Sequence, residues 1–208
     1  VDILFFKYCN LKNRHLLLKL KNFKNIYHIK MVRDLIRICK KLRAFGFVEA
    51  TSGNISMRKG SKVYITTAGS DFGEISKKDI ALVDLNGKQI KGKPSSETRM
   101  HLEIYKVRDD CNAIIHTHPL FVILNSFKKY PLPILPEANF EWCYVKYLKP
   151  GSLELAKEVS KKAKRCDAII LERHGLVCLG RNLKEAFYKT EIMEKISKLG
   201  FLLSLSSF

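Results

Sequence analysis

Apolar residues at 31, 32, 35, 36, 38, 39 and 42 recur at helical spacing with basic residues between them. That pattern predicts an amphipathic helix over 31–45, ended by Gly46. A polar segment, Thr51-Ser52-Gly53-Asn54, leads into alternating residues that predict a strand over 55–57, and residues 63–66 predict a second. The run 80–90 reads as a hairpin closed by Asn86-Gly87, the pair suited to a type I′ turn. Ser95-Ser96-Glu97 opens a helix to about Arg108, with Ser96 the expected N-cap and Glu97 adding negative charge to its first turn. Residues 113–118 form a short apolar strand, and Pro119 suits the first turn of the next helix. Prolines 131, 133 and 136 disfavour any long element in 128–149. Gly151-Ser152 restarts a helix to about Arg165. Two apolar strands, 168–171 and 176–179, flank the turn Glu172-Arg173-His174-Gly175, and a last helix covers about 183–199. Strands, hairpins and helices interleave without a βαβ repeat. One α/β domain follows, with a sheet at least partly antiparallel and covered by helices.

Composition fits a folded domain. With 46% apolar and 28% charged residues, the 208-residue chain has neither a disordered nor a fibrous profile and is long enough for one substantial core. The net charge of +18 admits a polyanion partner or an anionic substrate. The lysines are spread along the chain, however, and no basic recognition helix, RNA-binding aromatic signature or paired-cysteine finger points to specific nucleic acid. The six cysteines, at 9, 39, 111, 143, 166 and 178, form no CxxC pair and read as reduced intracellular core filler, consistent with a cytoplasmic protein. The first thirty residues carry seven Lys or Arg against one acid, and their apolar runs are too short to span a bilayer. They also lack a cleavable leader pattern. Residues 1–30 are therefore expected to be a basic extension or a start-site artefact, the latter favoured, and the functional domain to occupy 31–208.

The chemistry concentrates in a few places. His116-Thr117-His118 ends a strand, where side chains at i and i+2 share a face and both imidazoles can converge on one ion. A catalytic zinc commonly takes three protein ligands at about 2.0–2.3 Å and leaves a fourth position open. His174, in a tight turn before Gly175, is a suitable third. Thr51-Ser52-Gly53-Asn54, Thr67-Ala68-Gly69-Ser70 and Ser95-Ser96 are three donor-rich spots, one at a helix start, that together could enclose a phosphate. Glu97, next to the last of them, is the natural proton-transfer group.

Five segments in order, TSGNIS at 51–56, TTAGS at 66–70, KPSSE at 93–97, HTHP at 116–119 and RHGLV at 173–177, resemble the class II aldolase/adducin family. The likeness runs over about residues 31–199 and is strongest to its branch of L-fuculose-phosphate aldolases and L-ribulose-phosphate epimerases. The resemblance implies a single three-layer α/β/α domain, one Zn2+ per subunit held by His116, His118 and His174, and Glu97 as the catalytic acid/base, able to approach the metal when substrate is absent. It assigns Asn54, Gly69, Ser95 and Ser96 to a substrate-phosphate pocket lined also by Thr51, Gly53 and Thr67. It further implies a homotetramer whose active sites lie near subunit interfaces, acting on a phosphorylated sugar and an aldehyde, with no membrane partner. In the implied reaction, zinc chelates hydroxyl and carbonyl oxygens of a ketose phosphate and steadies the enediolate left by C–C cleavage.

Two departures stand out. Members of the aldolase branch carry a tyrosine after HTHP and another in the C-terminal tail. Here Glu137-Ala138-Asn139 occupy the first region, and no tyrosine follows Tyr188. Tyr130, Tyr144 and Tyr147, from this or a neighbouring subunit, are left as candidates for aldehyde handling. The expected activity is cleavage or formation of a ketose 1-phosphate such as L-fuculose 1-phosphate, through dihydroxyacetone phosphate and lactaldehyde. The alternatives are L-ribulose-5-phosphate 4-epimerisation, methylthioribulose-1-phosphate dehydration, and a non-enzymatic adducin-like interaction module. His101 is the one histidine of the core outside the metal set, and the epimerase branch would need a further metal-proximal histidine in 128–149, which has none.

Overall fold

A computed structural model describes residues 27–206. Helix α1 covers 27–44, so the end of the expected basic extension already belongs to it, while 1–26 and Cys9 lie outside the described residues. The chain continues through β1 (Asn54–Lys59), β2 (Lys62–Thr66), a short 3-10 turn (Lys77–Asp79), β3 (Ile80–Asp84) and β4 (Gln89–Lys91). Next come α2 (Thr98–Val107), β5 (Ala113–Thr117), α3 (Leu120–Lys128), β6 (Trp142–Val145) and α4 (Leu153–Ala163). The order closes with β7 (Ala168–Leu171), β8 (Gly175–Gly180) and α5 (Leu183–Leu205).

The strands form one eight-stranded sheet in the order β4-β3-β2-β1-β5-β8-β7-β6. Every pairing is antiparallel except β6 with β7, so the sheet is mixed. Strand alternation sends odd and even positions of β5 to opposite faces. Ala113 and Ile115 pack against α1 and α5 with Leu35, Leu42 and Phe187, and Ile114 packs against α2 and α4 with Ile104, Tyr105 and Val159. A further cluster joins Ile170, Leu176 and Cys178 to Val122 of α3 and to Met193 and Ile196 of α5. This is the three-layer α/β/α domain. Among the described residues, no helix is long and apolar enough to cross a membrane.

Caps and clamps fix the ends. Ser152 and Asn182 accept from the Leu155 and Glu185 amides at the starts of α4 and α5, at 3.1 and 3.0 Å. Arg58 donates to the carbonyls of Tyr105, Arg108, Asp109 and Cys111, satisfying the C-terminal end of α2.

Three local expectations are corrected. The hairpin turn is not type I′, because Gly87 (φ 86°) has positive φ and Asn86 does not. The Asp84 carboxylate instead accepts from the Asn86 and Lys88 amides, at 2.9 and 2.8 Å, and organises a three-residue loop. Ser96 does not cap α2: Glu97 stands at the N-cap, and the Ser95 hydroxyl accepts from the Glu97 amide at 3.2 Å. Strand β6 forms inside the proline-interrupted region, past its last proline. Finally, Cys143 of β6 and Cys166 after α4 are joined as a disulfide, with Cα atoms 6.0 Å apart. The pairing depends on β6, which packs beside α4, so spacing could not reveal it. Cys39, Cys111 and Cys178 are buried free thiols, as core filler should be.

Candidate metal centre and anion pocket

His116 lies near the end of β5, paired with Asn54 of β1 on one side and Val177 of β8 on the other. Its Nδ1 lies 3.0 Å from the Leu176 carbonyl, which can only accept. Nδ1 therefore carries the proton, and Nε2 is left with a lone pair. The His118 Nε2 faces that atom at 3.2 Å. Two imidazole nitrogens on a tetrahedral zinc at about 2.0–2.1 Å would sit about 3.3 Å apart. His174 completes a near-equilateral triangle, with ring centroids separated by 4.9, 4.8 and 5.3 Å. Its Nδ1 is buried without a hydrogen-bond partner. The three histidines form the one group of metal-ligating side chains that converges among the described residues, with donor atoms within 4.8 Å of one another.

All three rings are held neutral. Burial, then His174 and His118, pushes His116 well below the ordinary imidazole value. Burial lowers His118, and burial followed by His118 lowers His174 to about 4. Neutral imidazoles with converging lone pairs and a partnerless buried nitrogen fit a divalent cation.

Two glycines admit this packing. A Cβ at Gly175 would collide with the Thr117 carbonyl oxygen and lie 2.7 Å from His118 Cδ2. A Cβ at Gly53, whose φ is +76°, would lie 2.6 Å from Val48 Cγ1 and 2.9 Å from the His116 carbonyl oxygen. His118 is further fixed by its amide, which donates to the Phe47 carbonyl at 2.8 Å. Just beyond it, Glu194 of α5 accepts from the Phe121 and Val122 amides at 3.0–3.1 Å, capping α3 where Pro119 offers no side-chain cap.

The donor-rich loops meet through Thr66, one residue before the expected lining residue Thr67. The buried Thr66 hydroxyl accepts from the Ile55 amide at 3.2 Å, and its carbonyl accepts from the Ser95 amide at 3.1 Å. One residue thus ties Asn54's strand to Ser95. The Ala68 amide adds a bond to the Lys93 carbonyl at 3.3 Å, and Thr67 bridges Pro94. Within its own loop the Thr67 hydroxyl bonds Ser70 at 2.7 Å. Asn54 and Ser95 are buried beneath these loops, Gly53 and Thr67 are half-buried, and Thr51 and Gly69 are exposed. Ser96 is exposed and lines a depression with Asn86, Arg99 and Gly151.

Glu97 is 6% exposed, and its Oε2 has no partner. Burial raises its pKa above the usual carboxylate value, opposed by the Gly151 amide. Glu97 is outside the histidine cluster itself. Of the candidate tyrosines, Tyr144 commits its hydroxyl to the Asn125 carboxamide, Tyr130 packs its ring on Phe201, and Tyr147 is exposed.

Residues 33–200 match the family described as Class II Aldolase and Adducin N-terminal domain. The chain belongs to that family. It is 43% identical over 174 residues to an L-fuculose phosphate aldolase of Methanocaldococcus jannaschii, covering 82% of this chain and 95% of the relative. It is 42% identical over 176 residues to one of Methanococcus maripaludis, covering 82% and 96%. A solved L-fuculose 1-phosphate aldolase superposes with a TM-score of 0.81 at 32% identity, covering 86% of this chain and 88% of that one. Family, fold and histidine cluster together make the chain a class II, metal-dependent aldolase, and the non-enzymatic adducin-like alternative falls away.

Proposed function

We propose that this class II aldolase cleaves and forms a ketose 1-phosphate of the L-fuculose 1-phosphate type, exchanging it with dihydroxyacetone phosphate and lactaldehyde. The observation that carries the reading is the convergence of three neutral histidines in a chain that also buries Glu97, whose Oε2 has no partner. The names of the relatives supply the substrate class. Three imidazole donors favour Zn2+, one per subunit, held by His116, His118 and His174. When bound, the ion supplies Lewis-acid stabilisation of charge developing on substrate oxygens.

The chain's own residues do the rest. Asn54 and Ser95, with Thr51, Gly53, Thr67, Gly69 and Ser96 around them, bind the phosphate, so its binding energy positions the reacting carbons. As the hydroxyl beside the scissile bond gives its proton to solvent and becomes the aldehyde carbonyl, the C–C electron pair passes to the three-carbon fragment, whose carbon takes a proton from Glu97. In the synthetic direction the Glu97 carboxylate removes that proton. Its raised pKa brings acid and base forms closer in energy near neutral pH. The family match over 33–200 supports a catalytic domain within 31–208. Exposed apolar side chains such as Leu120, Phe127 and Ile134 support self-association, and the homotetramer and the cytoplasmic location follow the family resemblance.

The test is incubation of the metal-loaded protein with dihydroxyacetone phosphate and a panel of small aldehydes, following products by mass. Condensation that disappears on chelation is expected. No condensation with any aldehyde, together with epimerisation of ribulose 5-phosphate, would replace the proposal with the epimerase reading.

A further inference from the structure

Beneath Asn54 lies a hydrogen-bonded chain that neither the family match nor the metal centre explains. The His101 Nε2 is 2.7 Å from Asn54 Oδ1, the His101 Nδ1 is 2.7 Å from Ser56 Oγ, and Ser56 Oγ is 2.8 Å from the Tyr105 hydroxyl. Ser56 and His101 are fully buried, Tyr105 is 1% exposed and Asn54 5%. Such a chain has two possible polarities, and only one satisfies every proton. If Tyr105 donates to Ser56, Ser56 donates to His101 Nδ1, and the neutral imidazole's Nε2–H donates to Asn54 Oδ1. Run backwards, the chain would end on Tyr105, whose hydroxyl hydrogen has no other acceptor among the described residues. A buried donor without a partner is costly. Burial independently keeps the ring neutral, lowering its pKa to about 3.

The consequence falls on the carboxamide. With Oδ1 pinned inward by an obligatory donor, the Asn54 Nδ2 points away from His101, and it makes no hydrogen bond among the described residues. The outward face of Asn54 is then a donor. A flipped amide would present an acceptor and repel an anion.

We propose that His101 is a positioning residue that locks the Asn54 carboxamide with its NH2 group toward the substrate phosphate, with Ser56 and Tyr105 fixing the tautomer that makes this possible. The inference rests on the phosphate reading of the Asn54 pocket. Hydrogen bonds to charged groups are individually strong, so losing the aligned donor weakens phosphate binding roughly 10- to 100-fold.

Calorimetric titration of the metal-loaded full chain with inorganic phosphate tests it, alongside turnover of dihydroxyacetone phosphate and of unphosphorylated dihydroxyacetone. His101→Leu is expected to weaken phosphate and raise KM for the phosphorylated substrate, leaving metal content and turnover of the unphosphorylated one unchanged. His101→Gln, which returns an N–H near the Nε2 position, restores most of the loss. In an Asn54→Ala background, His101→Leu adds nothing. Wild-type phosphate affinity in folded His101→Leu, or losses that simply add in the double variant, would overturn the positioning role. Wild-type affinity in Asn54→Ala would instead remove the phosphate reading itself, and the inference with it. Nitrogen NMR of the wild-type ring is independent of any variant's folding: a neutral Nε2–H tautomer is expected, and an Nδ1–H tautomer contradicts the proposal.

Discussion

Four histidines cluster on and beside the central strands, and they divide into two regions with opposite hydrogen-bond accounts. At the end of β5, His116 and His118 turn nitrogens toward each other, and the His174 Nδ1 stays partnerless. One helix away, His101 is more deeply buried than His118 or His174, yet both its nitrogens are bonded. Burial makes all four neutral, so charge does not distinguish them. Lone pairs do. An imidazole with an unspent acceptor awaits a cation, whereas one with both nitrogens committed is a fixed strut.

The sharpest break of that comparison is His116→Ala. Losing an outer-sphere partner already costs roughly 10–100-fold in metal affinity. Removal of a ligand should exceed that and abolish aldol turnover, read by metal analysis and product formation. His101→Gln should retain full metal content in the same assay.

Glu97→Gln comes next. Expected are a fall in kcat of about 10²–10⁴-fold and unchanged metal content. Because the folded-state pKa of Glu97 is raised, the native state holds its proton more tightly than the unfolded chain. Stability is therefore lost as pH rises from the unfolded value through the folded one. The glutamine variant lacks that penalty, so thermal melts at pH 7–8 should place it at or above wild type.

Gly175→Ala forces a methyl group against Thr117 and His118. A loss of about 1–3 kcal/mol in denaturant unfolding is expected, with weakened metal retention because His118 must shift. A last prediction isolates the share of His101 in the acid response. His101 holds a folded value of about 3 against an ordinary 6.5, so the unfolded chain binds the extra proton. Its contribution to stability is present above about pH 6.5 and is lost as pH falls toward about 3. Metal-free His101→Gln should show a shallower acid-side decline than metal-free wild type in thermal melts across that window.

The metal corner was legible because strand geometry obliges i and i+2 to share a face, and a glycine beside His174 announced a close approach. The struts were not. His101, Ser56, Tyr105 and Thr66 act through contacts between residues far apart in sequence, and nothing local distinguishes His101 from an ordinary helix residue. The same limit explains β6, a four-residue strand that exists because β7 offers a parallel edge to Trp142–Val145. It also explains the Cys143–Cys166 disulfide, which β6 makes possible. Ser96 looked like a cap because serines favour helix starts. Its neighbour Ser95 took the buried place instead, tied by its amide to Thr66. Helix α5 runs to Leu205, beyond the expected end near 199, because Gly200 does not take the positive φ of a C-cap but stays helical, buried where a Cβ would lie 2.6 Å from the Pro131 carbonyl oxygen.

The central claim is that a histidine-held metal and Glu97 together move one proton on the three-carbon substrate. Exchange of dihydroxyacetone phosphate hydrogen with D2O, with no aldehyde present, measures that step alone by NMR. One hydrogen should exchange in the metal-loaded enzyme, with exchange abolished by chelation and strongly slowed in Glu97→Gln that retains its metal. Exchange at the wild-type rate after chelation, or in Glu97→Gln, would contradict the account.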